Sequence, residues 1–172
     1  MKHIKKLLTL TTLLLTLCGC GSTNNSLGHR IVEDNTIGDS YLNKIERALN
    51  NEDANTLKDL FSEYAVTNTD NLDVQISEFI ESFSDYDKIE KNGVNTYETS
   101  SYKGKIYCLM MHFDLYKDDV TYRLHIISHD INDKEPEKKG VQYIGVINPD
   151  KIDESFKWPT YNSDTTGIHI YY

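Results

Sequence analysis

Between Tyr41 and Phe83 apolar residues recur at spacings of three and four; after Tyr86 they alternate with polar ones. The first period is that of helices with one buried face and the second that of half-buried strands, so the chain reads as helices followed by a sheet. Asp39 or Ser40 can cap a first helix carrying Tyr41, Leu42, Ile45, Ala48 and Leu49, stopped by Asn50-Asn51. Asp53 caps a second, with Ala54, Leu57, Leu60, Phe61, Tyr64 and Ala65 on one side. A third starts at Asp70-Asn71, has Asp73 in its first turn to suit the helix dipole, and aligns Leu72, Ile76, Phe79, Ile80 and Phe83 before Ser84-Asp85.

In the second half, Asn92-Gly93 reads equally as a hairpin turn or as a bulge in a long bent strand, and Lys103-Gly104 is a firmer turn. From Ile106 to Tyr116 the alternation is clean, with Tyr107, Leu109, Met111, Phe113 and Leu115 on the core side. An even loop, of two residues at Asp118-Asp119 or of four, sets Leu115 opposite Tyr122, Phe113 opposite Leu124 and Met111 opposite Ile126. An odd loop would slip the parity and bury charges. The same register sets Tyr107 opposite Asp130 and, on the other side, Asp114 opposite Arg123, His112 opposite His125 and Cys108 opposite His129. Residues 132–139 form a charged loop, Val141 to Asn148 another strand, and the apolar tail 167–172 docks on the body. The predicted class is α+β: three N-terminal helices packed on a curved antiparallel sheet of about four strands.

The start of the chain changes the picture. Lys2, Lys5 and Lys6 precede an apolar run from Leu7 to Leu17, the order of an export signal and too short to span a bilayer comfortably. Leu17-Cys18-Gly19-Cys20 resembles the lipobox of bacterial lipoproteins, which implies cleavage before Cys20 and a lipid on its thiol. The expected organisation is a signal peptide over 1–19, a flexible Gly-, Ser- and Asn-rich tether over 20–38 and a single α+β domain over 39–172. Net charge is −9 for the whole chain, and loss of three lysines leaves 15 Lys and Arg against 27 Asp and Glu, a mature charge of −12. Such a body repels nucleic acid. Of three cysteines only Cys108 remains as a thiol, so no intramolecular disulfide can staple the mature domain.

Chemistry-bearing residues are few. Cys108, His112, Asp114, Arg123, His125 and His129 share one sheet face, but His125 and His129 lie roughly 13 Å apart along a strand and cannot share an ion. The cross-strand pairs offer two ligands each, so no metal site is assigned. Cys108 with His129 has the residue types of a thiol hydrolase, without a helix N-terminus to lower the thiol pKa or a third group to orient the imidazole. No catalytic set and no cofactor follow. On the helix side, polar groups that reach a pocket between helices and sheet are Tyr107, Tyr122, Ser128, Asp130 and Tyr143, the candidate ligand site.

The segments IERALNNEDANTLKDLFSEYAV, NLDVQISEFIESF, TYRLHIISHDIND, VQYIGVINPD and GIHI resemble an uncharacterised family of Gram-positive lipoproteins in the cystatin-like, nuclear-transport-factor-like superfamily. The resemblance implies a cone formed by a bent sheet around the helices. Related SnoaL-like isomerases and dehydratases work through His and Asp inside that cone, whereas the strand histidines here fall outside it. The expected function is a membrane-anchored extracytoplasmic lipoprotein, a non-catalytic module binding a small molecule, peptide or protein. The alternatives are an isomerase or hydrolase acting inside the cone, and an interaction module that forms a homodimer through its outer sheet face.

Overall fold

The structure is a computed structural model that describes residues 25–171. The expected signal peptide and the Cys20 lipid site lie outside the described residues. The chain divides into Met1–Glu33 and Asp34–Tyr172, and the second unit carries the sheet and the core. The described elements are α1 (Asn25–Asn50), α2 (Ala54–Lys58), α3 (Glu63–Asn68), α4 (Leu72–Phe83), β1 (Lys88–Ser101), β2 (Gly104–Lys117), β3 (Val120–Asn132), a 3-10 turn (Pro136–Lys138), β4 (Gly140–Ile147) and β5 (Gly167–Tyr171). The strands form one sheet in the order β1-β2-β3-β4-β5. The first four pair antiparallel, and β5 lies parallel to β4. Helices precede the sheet as predicted, and the sheet has five strands rather than about four because the tail docks as a strand.

The helices depart from prediction in two places. First, α1 begins at Asn25, so residues 25–38, expected as tether, are helical. Ile37 extends the apolar stripe one turn ahead of Tyr41 and packs against the core. Gly38, which reads as a breaker, is the contact point: a Cβ there would lie 2.9 Å from Val94 Cγ2, so glycine lets the helix rest on β1. Lys91 fastens the same turn to the sheet through the Asp39 carboxylate and the Asn35 carbonyl, 3.2 Å away.

Second, the predicted helix over 54–65 is two short helices. Asp53 caps α2, accepting from Thr56 N at 3.0 Å, but the chain then opens at Phe61, which bridges to Val141 of β4. Ser62 N donates to Val141 O and Val141 N to Leu60 O, each at 2.9 Å. Ser62 then caps α3 through Ala65 N at 3.0 Å. Two sheet-type hydrogen bonds and a cap outweigh the propensity of a continuous helix.

The strand pairing follows the predicted parity through most of β2 and β3. A two-residue turn at Asp118-Asp119, both with positive φ (51° and 62°), places Leu115, Phe113 and Met111 opposite Tyr122, Leu124 and Ile126. Asn92 is a bulge, with the register shifting between Lys91 and Gly93 inside continuous β1. A further bulge separates Tyr107 from Cys108, so Tyr107 faces Ile131 and not Asp130.

The helices cover one sheet face. Leu109, Met111, Phe113, Leu115, Leu124, Ile126, Ile144 and Val146 are no more than 1% exposed and join Ile45, Leu49, Leu57, Ile76 and Phe79 in one cluster. Each such side chain contributes about 1.5–3 kcal/mol of burial.

Candidate binding cleft

The five residues predicted to line an inner pocket are not gathered into one site. Tyr107 donates its hydroxyl to Asp34 of α1. Tyr122 sets its ring edge-on to Phe83, centroids 5.2 Å apart. Ser128 Oγ and the Tyr41 hydroxyl are 2.6 Å apart, and burial raises the Tyr41 pKa, opposed by that hydrogen bond and reinforced by the charge of Asp130. Tyr143 lies on the opposite sheet face, packed with Cys108 and Ile127. Tyr143 pairs with Ile127, an outer-face position, and alternates with the inward Ile144 and Val146, while a register shift between Ile127 and Ser128 turns Val141 inward as well.

That outer face is where polar chemistry collects, because the segment between β4 and β5 folds back over it as a strap. Trp158 and Tyr161 of the strap pack on Cys108, Ile127 and Tyr143. Gly145 makes room, since a Cβ there would meet the Tyr143 hydroxyl and lie 2.6 Å from Trp158 Cζ3. Two histidines of β3 hold the strap. His125 Nε2 donates to Pro159 O at 3.2 Å, with Trp158 5.0 Å from its ring, and His129 hydrogen-bonds the backbone of Tyr161. Since a carbonyl only accepts, neutral His125 carries its proton on Nε2. Its Nδ1 then accepts from His112 Nδ1, 3.3 Å away. Burial, then the neighbouring His112, lowers the His125 pKa to about 4. His112 and His129 are also lowered, chiefly by burial.

Beside the His129 pin, sheet, strap and 3-10 turn enclose a cleft of about 380 Å³, within the range of small-molecule sites. Its floor is polar and buried: His129, Asn132 and Gln142 are 8%, 4% and 5% exposed. Asn132 Nδ2 lies 3.3 Å from His129 Nδ1, its Oδ1 accepts from Glu135 N at 3.0 Å, and Gln142 Nε2 donates to Lys138 O at 2.7 Å. One wall is Tyr97 of β1 stacked on Tyr161 of the strap, centroids 3.7 Å apart and planes at 11°. The other holds Tyr64, with Lys138 Nζ over its ring at 4.7 Å and ion-paired to Glu135 at 2.8 Å.

Sequence reasoning placed His129 on the outer face but missed the cleft. Tyr161 and residues 132–139 are not in a periodic pattern, and only the strap's path brings them together.

The other outer-face candidates have structural partners. Cys108 is fully buried and its thiol is pushed up to about 12 by desolvation, which leaves no thiolate for attack. Arg123 Nε is 4.0 Å from Asp114, whose other oxygen accepts from Asn92 Nδ2 at 2.7 Å. Among the described residues no group of three or more His, Cys, Asp or Glu is placed to hold a metal, and no helix is long and apolar enough to cross a membrane.

Residues 44–149 match the family described as a domain of unknown function (DUF5104). The chain belongs to this family. No curated protein matches the chain. The family segment takes in the cleft's floor and the Tyr97 wall, and ends where the strap begins, so the wall carrying Tyr161 lies beyond the matched residues.

Proposed function

We propose that the protein is an extracytoplasmic lipoprotein of the Gram-positive kind, anchored through Cys20, whose cystatin-like cone is a non-catalytic module binding a small molecule in its outer cleft. The observation that carries the binding reading is the cleft itself: about 380 Å³ with a floor of buried, oriented polar side chains beneath a tyrosine wall. The non-catalytic part is supported by the chemistry of the groups nearby. The Cys108 thiol stays protonated, and the rings of His125 and His129 are engaged in hydrogen bonds, each with one to the strap backbone and one to a neighbouring side chain, His112 or Asn132. Trp158 and Tyr161 occupy the outer face, which favours a ligand over self-association through that face.

The anchor is supported by the three lysines, the apolar run and the Leu17-to-Cys20 tetrapeptide. Mass analysis of the mature N-terminus tests it: wild type is expected to begin at lipid-modified Cys20, and Cys20→Ala to lose the lipid. An unmodified wild-type N-terminus overturns the anchor. Denaturing extraction of protein purified from membranes, followed by mass spectrometry, tests the binding reading. A co-purifying small molecule lost in Tyr97→Ala supports it, and none in wild type opposes it.

A further inference from the structure

Resting on the binding reading above, the geometry points to a neutral sugar, a mono- or disaccharide, as the class of ligand that the cleft takes.

The cleft excludes other chemistries one by one. An apolar ligand finds Ile106 as the only aliphatic side chain among the lining residues. A nucleobase clamped between two rings has no slot, because Tyr97 and Tyr161 already stack on one another at 3.7 Å and leave only their outer side to a ligand. A free anion needs excess positive charge. The lining cations Lys134 and Lys138 are matched by Glu135 and Asp164, Lys138 is paired with Glu135, and the chain as a whole carries −9.

What remains suits a ring with an apolar C–H face and a rim of hydroxyls. The tyrosine wall provides a rigid platform for the C–H face. Asn132 and Gln142 each combine donor and acceptor in one plane, the arrangement that pairs with vicinal hydroxyls, and both are oriented by hydrogen bonds that use only part of their capacity. Their burial matters energetically, because a hydrogen bond made at a desolvated amide discriminates more sharply than one at the surface. Asn162 and Ser163 of the strap add polar groups at the mouth, with Ser163 Oγ 2.8 Å from Thr165 Oγ1.

The test is saturation-transfer NMR on the full chain in detergent, with glucose, N-acetylglucosamine and cellobiose as probes and inorganic phosphate, adenosine and diglycine as comparators. At least one neutral sugar is expected to show transfer, weakened about tenfold or more in Tyr97→Ala and retained in Tyr97→Phe, which keeps the ring. Because Tyr97→Ala removes a packed ring, Asn162→Ala at the exposed mouth serves as a second variant, expected to weaken the same sugar several-fold at an unchanged melting temperature. Transfer to a comparator and to no sugar overturns the ligand class while leaving the cleft as a binding site. Sugar transfer that persists unchanged in both alanine variants overturns the location. No transfer to any probe overturns the sugar assignment, and the binding reading falls as well only if protein extracted from membranes carries no small molecule.

Discussion

His125 carries the sharpest consequence at the scale of a residue. Its imidazole is held neutral between Pro159 O and His112, near Trp158 and Tyr143, with Arg123 and Asp114 the charged groups close to the pair. The folded pKa of about 4 lies below the ordinary 6.5, so between those values the unfolded chain takes up a proton that the native state refuses. Stability is therefore full above the unfolded pKa and declines as pH falls towards 4. Between pH 7 and pH 5 this one group accounts for about 2 kcal/mol. Urea midpoints at the two pH values are expected to differ less in His125→Gln than in wild type, and an unchanged difference would sink this assignment. Cys108 gives a simpler test: with a thiol at about 12 and no exposure, it should resist maleimide in native protein and react on unfolding. Labelling of the native chain at the unfolded rate would contradict its burial. Residue pairing was legible here wherever parity alone decides it: His112 opposite His125 and Cys108 opposite His129 follow from a two-residue turn. The fate of those side chains was not legible, because it depends on a strap with no periodic pattern.

At the scale of elements, turns and close approaches are the features open to measurement. Asp118 and Asp119 both adopt positive φ in the β2–β3 turn, where glycine is unstrained in the second place. Asp119→Gly is expected to raise stability by about 0.5–1 kcal/mol with an unchanged urea slope. A loss would mean that the Asp119 side chain supports the turn. Gly145→Ala tests the strap's contact with the sheet. Its methyl would collide with Tyr143 and Trp158, so a cost of about 1–3 kcal/mol and a shift in Trp158 fluorescence are expected, whereas unaltered fluorescence would contradict the contact. The element that misled sequence reasoning most is the segment 54–65. Its apolar spacing is helical throughout, yet Phe61 leaves the helix to bridge Val141, a partner eighty residues away. Spacing reports which side chains are buried, and Leu57, Leu60, Phe61 and Ala65 are indeed buried. It does not report which backbone hydrogen bonds their peptides make.

For the whole molecule, the last strand decides whether the sheet is closed at the β4 edge. Ile168 is 5% exposed, its amide donates to Gln75 Oε1 of α4 at 2.8 Å, and β5 shields a strand that would otherwise offer an unpaired edge. Ile168→Ala is expected to cost about 2–4 kcal/mol by denaturant unfolding, as for a core isoleucine. A cost near zero would show that the tail rests on the body without stabilising it. Because β5 is also the far anchor of the strap, loosening it is expected to loosen the Tyr161 wall of the cleft, so the same variant should bind a cleft ligand more weakly.

By itself the sequence determined the order of helices and strands, the buried faces of α4 and β2, and most of the β2–β3 register through the even turn. Those properties are local: a period, a parity or a short motif states them without reference to distant residues. Only tertiary structure decided that Gly38 seats α1 on β1, that the bulge between Tyr107 and Cys108 separates Tyr107 from Asp130, and that Tyr143 belongs to the outer face. It also decided that the cleft lies under the strap and not between the helices and the sheet. The physical reason is that an irregular segment is placed by what it covers, and Trp158, Pro159 and Tyr161 find their partners, Gly145, His125 and Tyr97, only once the sheet has formed.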